Sequence, residues 1–251
     1  MSADPMADER ANARPGPLGF MRAAAAAAQF AACGMLDALL PRGCAGCDRP
    51  DAVLCSECQG LFSCILRREL RGSVMGCSYA CGAYQGVVRQ AILVWKDHGD
   101  EQCTEPFARM LAELTVFALG GTLAYGRKIL IVPAPSSVRS VRRRGRWHML
   151  QLARRLARLL RGNGINAQAA PVLTMHAVAG KSVEMLGSSQ RASRIGGHVT
   201  VRRSRDINGA LAIVIDDIIT TGSTMRQCVG ALRAGGATVL TALALAQAGD
   251  A

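Results

Sequence analysis

Two adjacent carboxylates after an apolar run, followed by hydroxyls around a glycine, are the residues of this chain best suited to chemistry. Ile213-Val214-Ile215 leads into Asp216 and Asp217, then Ile218-Ile219, then Thr220-Thr221-Gly222-Ser223-Thr224. Paired acids are acceptors for the two hydroxyls of a vicinal diol, or for the water shell of a metal. Backbone N–H groups at a helix start, hydroxyl donors and a glycine that permits close approach suit a phosphate. Together they describe a ribose 5-phosphate pocket. A lone aspartate after a strand often only caps a turn, but two adjacent acids closing so apolar a run are harder to explain that way.

A second constellation follows Val132-Pro133-Ala134-Pro135. Ser136 and Ser137 supply hydroxyls, and the stretch from Arg139 to Arg146 supplies guanidinium groups around Gly145. Arginine forks match the planar oxygens of a diphosphate. The same cluster could serve as a nucleic-acid patch, since it would bind any phosphate. A third is Cys44-x2-Cys47-x7-Cys55-x2-Cys58. Four thiolates from two tight turns close a tetrahedral Zn2+ site, which leaves no open position and is therefore structural. Cys64, Cys77, Cys81 and Cys103 leave a second metal site open, while Cys33 and Cys228 read as core.

These residues need elements to hold them. Ile213–Asp217 reads as a buried parallel strand, and Met225, Cys228, Val229 and Leu232 as the inner face of the helix after the loop. Lys128 to Pro133 reads as another core strand, stopped by Pro133 and Pro135. Trp147 to Leu160 predicts an amphipathic helix, with Met149, Leu152, Leu156 and Leu159 inward and Arg154, Arg155, Arg158 and Arg161 outward. Tyr84 to Trp95 and Phe107 to Leu119 predict two further helices, the first ended by Gly99 and the second by Gly120-Gly121. Ala170 to Met175, His198 to Val201 and Leu240 to Ala246 read as strands. Val178 to Ser182 mimics the end of a nucleoside triphosphate-binding loop, but Met175 stands where its first glycine is required, so that chemistry is rejected.

The order of these motifs resembles the ComF family (the ComF/GntX-like group), and residues 213–224 resemble the phosphoribosyl diphosphate signature of type I phosphoribosyltransferases. Val132-Pro133-Ala134-Pro135 with Arg142-Arg143-Arg144-Gly145 is similar to the family's Val-Pro-Val-Pro…Arg-Arg-Gly segment, and Trp95 to Asp100 to its Lys-x-x-Gly-Asp element. The resemblance runs from about Cys44 to Gln247. It implies an α/β, type I phosphoribosyltransferase-like fold: a largely parallel sheet flanked by helices, with a small N-terminal zinc ribbon-like module. The expected division is an arm and alanine-rich helix over 1–40, a cysteine-rich zinc-binding module over 41–82, and a phosphoribosyltransferase-like domain over 83–251.

The resemblance also implies a ligand, phosphoribosyl diphosphate with Mg2+. Its ribose 5-phosphate would lie on residues 216–224, with Asp216 and Asp217 as catalytic acids, and its diphosphate on Ser136, Ser137, Arg144 and Gly145. Lys96 is expected to reach the phosphates or, as a helix-end lysine, to complement the helix dipole. Arg191 belongs to a mobile loop that closes over the diphosphate. Phosphoribosyl would pass to an unidentified acceptor. Departures are plain: Arg146-Trp147-His148 replaces the usual Phe-Asn-Gln, and Val183, Gly187 and Arg194 replace polar residues of the mobile loop, where Leu186 and Arg191 remain. Binding is thus better supported than transfer. The alternative is a non-catalytic nucleic-acid protein of DNA uptake (competence) that reuses the pocket, binding single-stranded DNA or another polyanion.

Composition bounds the rest. A formal charge of +12 over 251 residues favours polyanionic partners without choosing among them. The 50% hydrophobic content excludes a wholly disordered chain. Phe20 to Leu40 is long, but it is mostly alanine and contains Arg22 and Asp37, so a membrane span is rejected. With no leader-like apolar core either, a cytoplasmic location is expected.

Overall fold

A computed structural model of the chain describes residues 43–120, 126–176, 198–202 and 207–249. The alanine-rich stretch 20–40, the mobile-loop segment 181–194 and its Arg191 lie outside the described residues.

The inner strands of the central sheet, β3, β7 and β8, are rich in aliphatic residues and largely buried. In chain order the elements are α1 (Ser56–Gly60), β1 (Leu66–Glu69), β2 (Cys77–Ala80), α2 (Gly86–Asp97), a 3-10 turn (Glu101–Cys103), α3 (Thr104–Leu119) and β3 (Ile129–Pro133). Then come α4 (Val138–Arg144), α5 (His148–Gly162), β4 (Ala167–Ala169), β5 (Leu173–His176), β6 (His198–Val201), β7 (Leu211–Ile219), α6 (Ser223–Ala234) and β8 (Thr238–Gln247). Six strands pair in the order β1-β2-β8-β7-β3-β4, while β5 and β6 form a separate antiparallel pair. Only the β1–β2 pairing is antiparallel within the main sheet. The expected α/β fold, a largely parallel sheet flanked by helices, is what the chain forms.

Alternation along β7 divides the core. Ile213 and Ile215 face a cluster containing Trp95, Phe107, Leu111, Leu152 and Leu156, contributed by α2, α3 and α5. Ala212 and Val214 face the opposite cluster, where Met225, Cys228, Val229 and Leu232 of α6 pack. Thus β3 is followed by helix α5 on one face and β7 by helix α6 on the other, although β3 and β7 are neighbours. A parallel sheet opens a crevice at the carboxyl ends of its strands at such a switch point.

The cysteine-rich segment belongs to the same compact unit, Gly43–Ala251. Cys44, Cys55, Cys58 and Phe62 join the α2–α3–α5 core, and β1 and β2 lengthen the sheet beyond β8. Neither short strand was read from sequence, because Leu66–Glu69 carries three charges in four residues and takes its conformation from its neighbours. Of the expected strand at 170–175 only the second half forms, as β5 from Leu173 to His176, and the separate β4 ends before it at Ala169. No helix among the described residues is long and apolar enough to cross a membrane.

Candidate functional site

Backbone pairing brings the two phosphate-type loops together. Pro133 at the end of β3 lies opposite Ile215 of β7, and the Ala134 N–H donates to the Ile215 carbonyl at 2.8 Å. The loop after β3 and the acids of β7 therefore leave adjacent parallel strands at the same end, in the switch-point crevice.

β7 does not end at its acids but continues two residues to Ile219. Asp216 and Asp217 consequently point to opposite faces of the sheet. Asp217 is 6% exposed and turns toward α2 and α5. Its Oδ2 lies 2.6 Å from Lys96 Nζ and 3.0 Å from His148 Nε2. Burial opposes its ionisation, but the hydrogen bond from His148 and the charge and hydrogen bond of Lys96 hold it below the usual carboxylate range. Burial keeps His148 neutral by lowering its pKa, against the pull of Asp217. An ionised carboxylate only accepts, so Nε2 carries the imidazole proton and donates it to Asp217. The His148 ring also meets Trp95 edge-to-face at 4.9 Å, and its Nδ1 is buried without a partner among the described residues.

Asp216 is the other kind of acid. It is partly exposed, its Oδ1 accepts the Asp217 N–H at 2.9 Å, and burial together with the Asp217 charge pushes its pKa up to about 8. The two acids are thus pushed in opposite directions, Asp217 toward the carboxylate and Asp216 toward the protonated form.

The loop beyond is ordered by arginines. Gly222 adopts φ 72° and caps α6, a left-handed conformation that a Cβ would strain. Arg68 donates to the Thr220 carbonyl, and Arg226 Nη1 to the Thr221 carbonyl at 3.0 Å. Thr221 Oγ1 accepts the Ser223 N–H at 3.4 Å. With these carbonyls engaged, the N–H groups of the first turn of α6 and the hydroxyls of Thr220, Ser223 and Thr224 present a donor-rich rim.

The segment after β3 contains the helix α4, which its run of arginines does not announce in the sequence. Ser137 caps α4 by accepting from the Ser140 N–H at 3.2 Å, and Gly145 closes it at φ 66°. The proline stop and the cap left the intervening Val138–Arg144 free to coil, a choice that the surrounding arginines obscured. Arg144 Nε lies 3.0 Å from Asp97 Oδ1, and its side chain is 10% exposed. Arg146 donates to the Trp95 carbonyl and to Gln151 Oε1, the latter at 3.1 Å. Arg142 instead lines a cavity of about 300 Å³ with Ser136, Trp147, Thr174 and Arg202.

His148 was missed as a functional residue, yet a signal existed. It falls on the same helical stripe as Leu152 and Leu156, one turn before them, and a histidine on an apolar stripe needs a buried partner.

The four cysteines of the N-terminal segment do converge. Their Sγ atoms lie within 4.8 Å of one another, and all but Cys47 are buried. Burial resists ionisation of Cys44, but the N–H groups of Cys55, Cys47 and Gly46 bring its pKa down to about 6. The Cys55 N–H contact to Cys44 Sγ is 3.2 Å long. Thiolates about 2.3 Å from a zinc ion stand about 3.8 Å apart, so small contractions fit this group to a tetrahedral metal. Among the described residues no second group of this kind forms; Cys81, Cys103 and Cys228 are buried separately in the core.

No protein-family model matches the chain, and no curated protein does. Among solved structures it is similar to a mutant hypoxanthine phosphoribosyltransferase from Trypanosoma cruzi in a ternary substrates complex. That likeness has 12% identity over 57% of this chain and 67% of that one, with TM-score 0.34. An adenine phosphoribosyltransferase is 12% identical over 78% and 91%, with TM-score 0.35. The Saccharomyces cerevisiae adenine phosphoribosyltransferase, bound to an imino-altritol bisphosphate and adenine, is 13% identical over 76% and 88%, with TM-score 0.33. The fold class itself rests on the strand order and crossovers described above.

Proposed function

We propose that this chain is a ComF-like phosphoribosyltransferase homologue that binds phosphoribosyl diphosphate with Mg2+ across the β3–β7 crevice. The observation that carries the reading is the Ala134–Ile215 backbone bond, which sets the loop after Pro133 beside the acids of β7. The 5-phosphate would meet the N-terminus of α6, Gly222 and the hydroxyls of Thr220, Thr221, Ser223 and Thr224. The diphosphate would meet Ser136, Ser137, Gly145, Lys96 and Arg144, with Arg191 closing from the mobile loop. Mg2+, when bound, would offset the charge that develops on the departing diphosphate.

Asp216, partly exposed at the crevice, is the acid free to contact the ribose hydroxyls. Asp217 holds Lys96 in place from behind. Transfer of phosphoribosyl would break the bond from the anomeric carbon to the diphosphate oxygen and form one to an acceptor nucleophile, whose proton passes to solvent. Zn2+ on Cys44, Cys47, Cys55 and Cys58 would fix the module over 41–82 against the domain over 83–251, at a distance from the chemistry.

Diphosphate release tests this reading. Full-length chain is incubated with phosphoribosyl diphosphate and Mg2+, with and without nucleobases, small amines and single-stranded DNA. Acceptor-dependent release that is lost in Asp216→Asn supports transfer. Binding without release under every condition restricts the function to sensing the ligand, and no binding contradicts the reading altogether.

A further inference from the structure

The outer face of α3 is an apolar ridge between two grooves. Phe117 is 58% exposed and Val116 44%, and Leu61 and Ile65 nearby are also exposed. Single exposed apolar residues are ordinary, but a contiguous patch rimmed by charge marks a contact surface. One groove, about 520 Å³, is lined by Phe62, Ile65, Pro106, Met110 and Phe117. The other, about 480 Å³, is lined by Ala112, Val116, Phe117 and Leu159. Phe117 is a wall of both.

Arg109 and Glu113 are exposed on the same stripe, one turn apart. Arg109 Nε reaches Glu105 at 3.0 Å within the helix, whereas Glu113 has no ion-pair partner among the described residues. Their spacing decides which occupant fits. When two copies of this helix lie antiparallel about a two-fold axis level with Leu111, Arg109 faces the second copy's Glu113, and the same pair forms again on the other side of the axis. An axis centred on Arg109 or on Glu113 sets like charges together, and a parallel arrangement does the same at both positions. In the matching register Phe117 lies across from the second copy's first turn. There the groove lined by Phe62, Pro106 and Met110 can receive its ring, and Val116 lies over Pro106.

We propose that this face is the docking surface for a second copy of the chain, packed α3 against α3 in antiparallel register. The charge pairs set the register, and the two Phe117 rings supply the buried anchors.

Sedimentation of the full-length chain at physiological salt, over a range of concentrations, tests this. A species of twice the 26.4 kDa chain mass is expected. Phe117→Asp should weaken association by at least about 100-fold, as loss of an aromatic anchor does. Arg109→Glu and Glu113→Arg should each weaken it by about 10-fold, because each sets like charges opposite one another twice. The double variant Arg109→Glu/Glu113→Arg should return to within about threefold of the parent, since the pairs are restored with signs exchanged. That rescue separates recognition from misfolding. A chain that is monomeric at every concentration overturns the proposal, whatever else covers the face. So does a dimer indifferent to Phe117→Asp, or a double variant no better than the single ones.

Discussion

The two loops that meet at the β3–β7 crevice are built in opposite ways. After β7, the arginines Arg68 and Arg226 bind backbone carbonyls, and Thr220, Thr221 and Ser223 are exposed. After β3, two of the arginines are engaged by the protein itself, Arg144 on Asp97 and Arg146 on the Trp95 carbonyl and Gln151. Under the proposed function the first loop would meet its anion as it stands. The other must exchange internal ion pairs for ligand contacts, so the 5-phosphate end should dominate affinity and the diphosphate end should govern what happens afterwards.

The largest expected effect lies in the cysteine cluster. Cys58→Ser should abolish stoichiometric zinc and cost several kcal/mol of stability, because metal binding is then part of folding energy. Metal analysis with thermal unfolding checks it, and an unchanged melting temperature in a zinc-free variant would exclude a structural role.

Asp217→Ala should cost about 3–5 kcal/mol, since it leaves Lys96 without its anion and His148 without its acceptor in a buried setting. Denaturant unfolding measures it. Combining the change with Lys96→Met should recover part of the loss, which a mere cavity would not. His148→Ala should cost about 1–3 kcal/mol by removing the donor to Asp217, and His148→Gln, which can still donate, should cost less.

A pH dependence adds a test of sign. Asp216 keeps its proton up to about pH 8 in the folded chain but only to about 3.8 when unfolded. Its contribution is therefore full below the lower value, declines as pH rises, and is gone above about 8. Melting temperatures from roughly pH 5 to 9 should show the parent losing ground to Asp216→Asn with rising pH, then levelling. A parent that gained ground would reverse the assignment of which acid carries the charge.

Sequence reading located the core strands β3, β7 and β8, the loop at 220–224 and helices α2, α3, α5 and α6, because each is a long periodic run or a motif with strong local chemistry. It did not separate the roles of Asp216 and Asp217. Strand alternation sends neighbouring side chains to opposite faces, and only the packing of α2 and α5 shows which face holds a cation. His148 was overlooked for the same reason: its partner is 69 residues away. The short strands β1 and β2 and the helix α4 were illegible because each depends on a neighbour or a cap more than on its own residues. The four zinc-type cysteines were readable from spacing alone, since two tight turns bring them within one ligand shell.

Calorimetric titration of phosphoribosyl diphosphate with Mg2+ into the 251-residue chain shows whether the Gly222 loop binds the ligand's 5-phosphate. Single-site binding is expected, and Gly222→Val should abolish it while unfolding stays cooperative, because a β-branched side chain cannot hold φ 72° there and its Cβ would crowd Arg226 Nη1 at 3.1 Å. Absence of heat with the parent protein, or equal affinity in Gly222→Val, would contradict it.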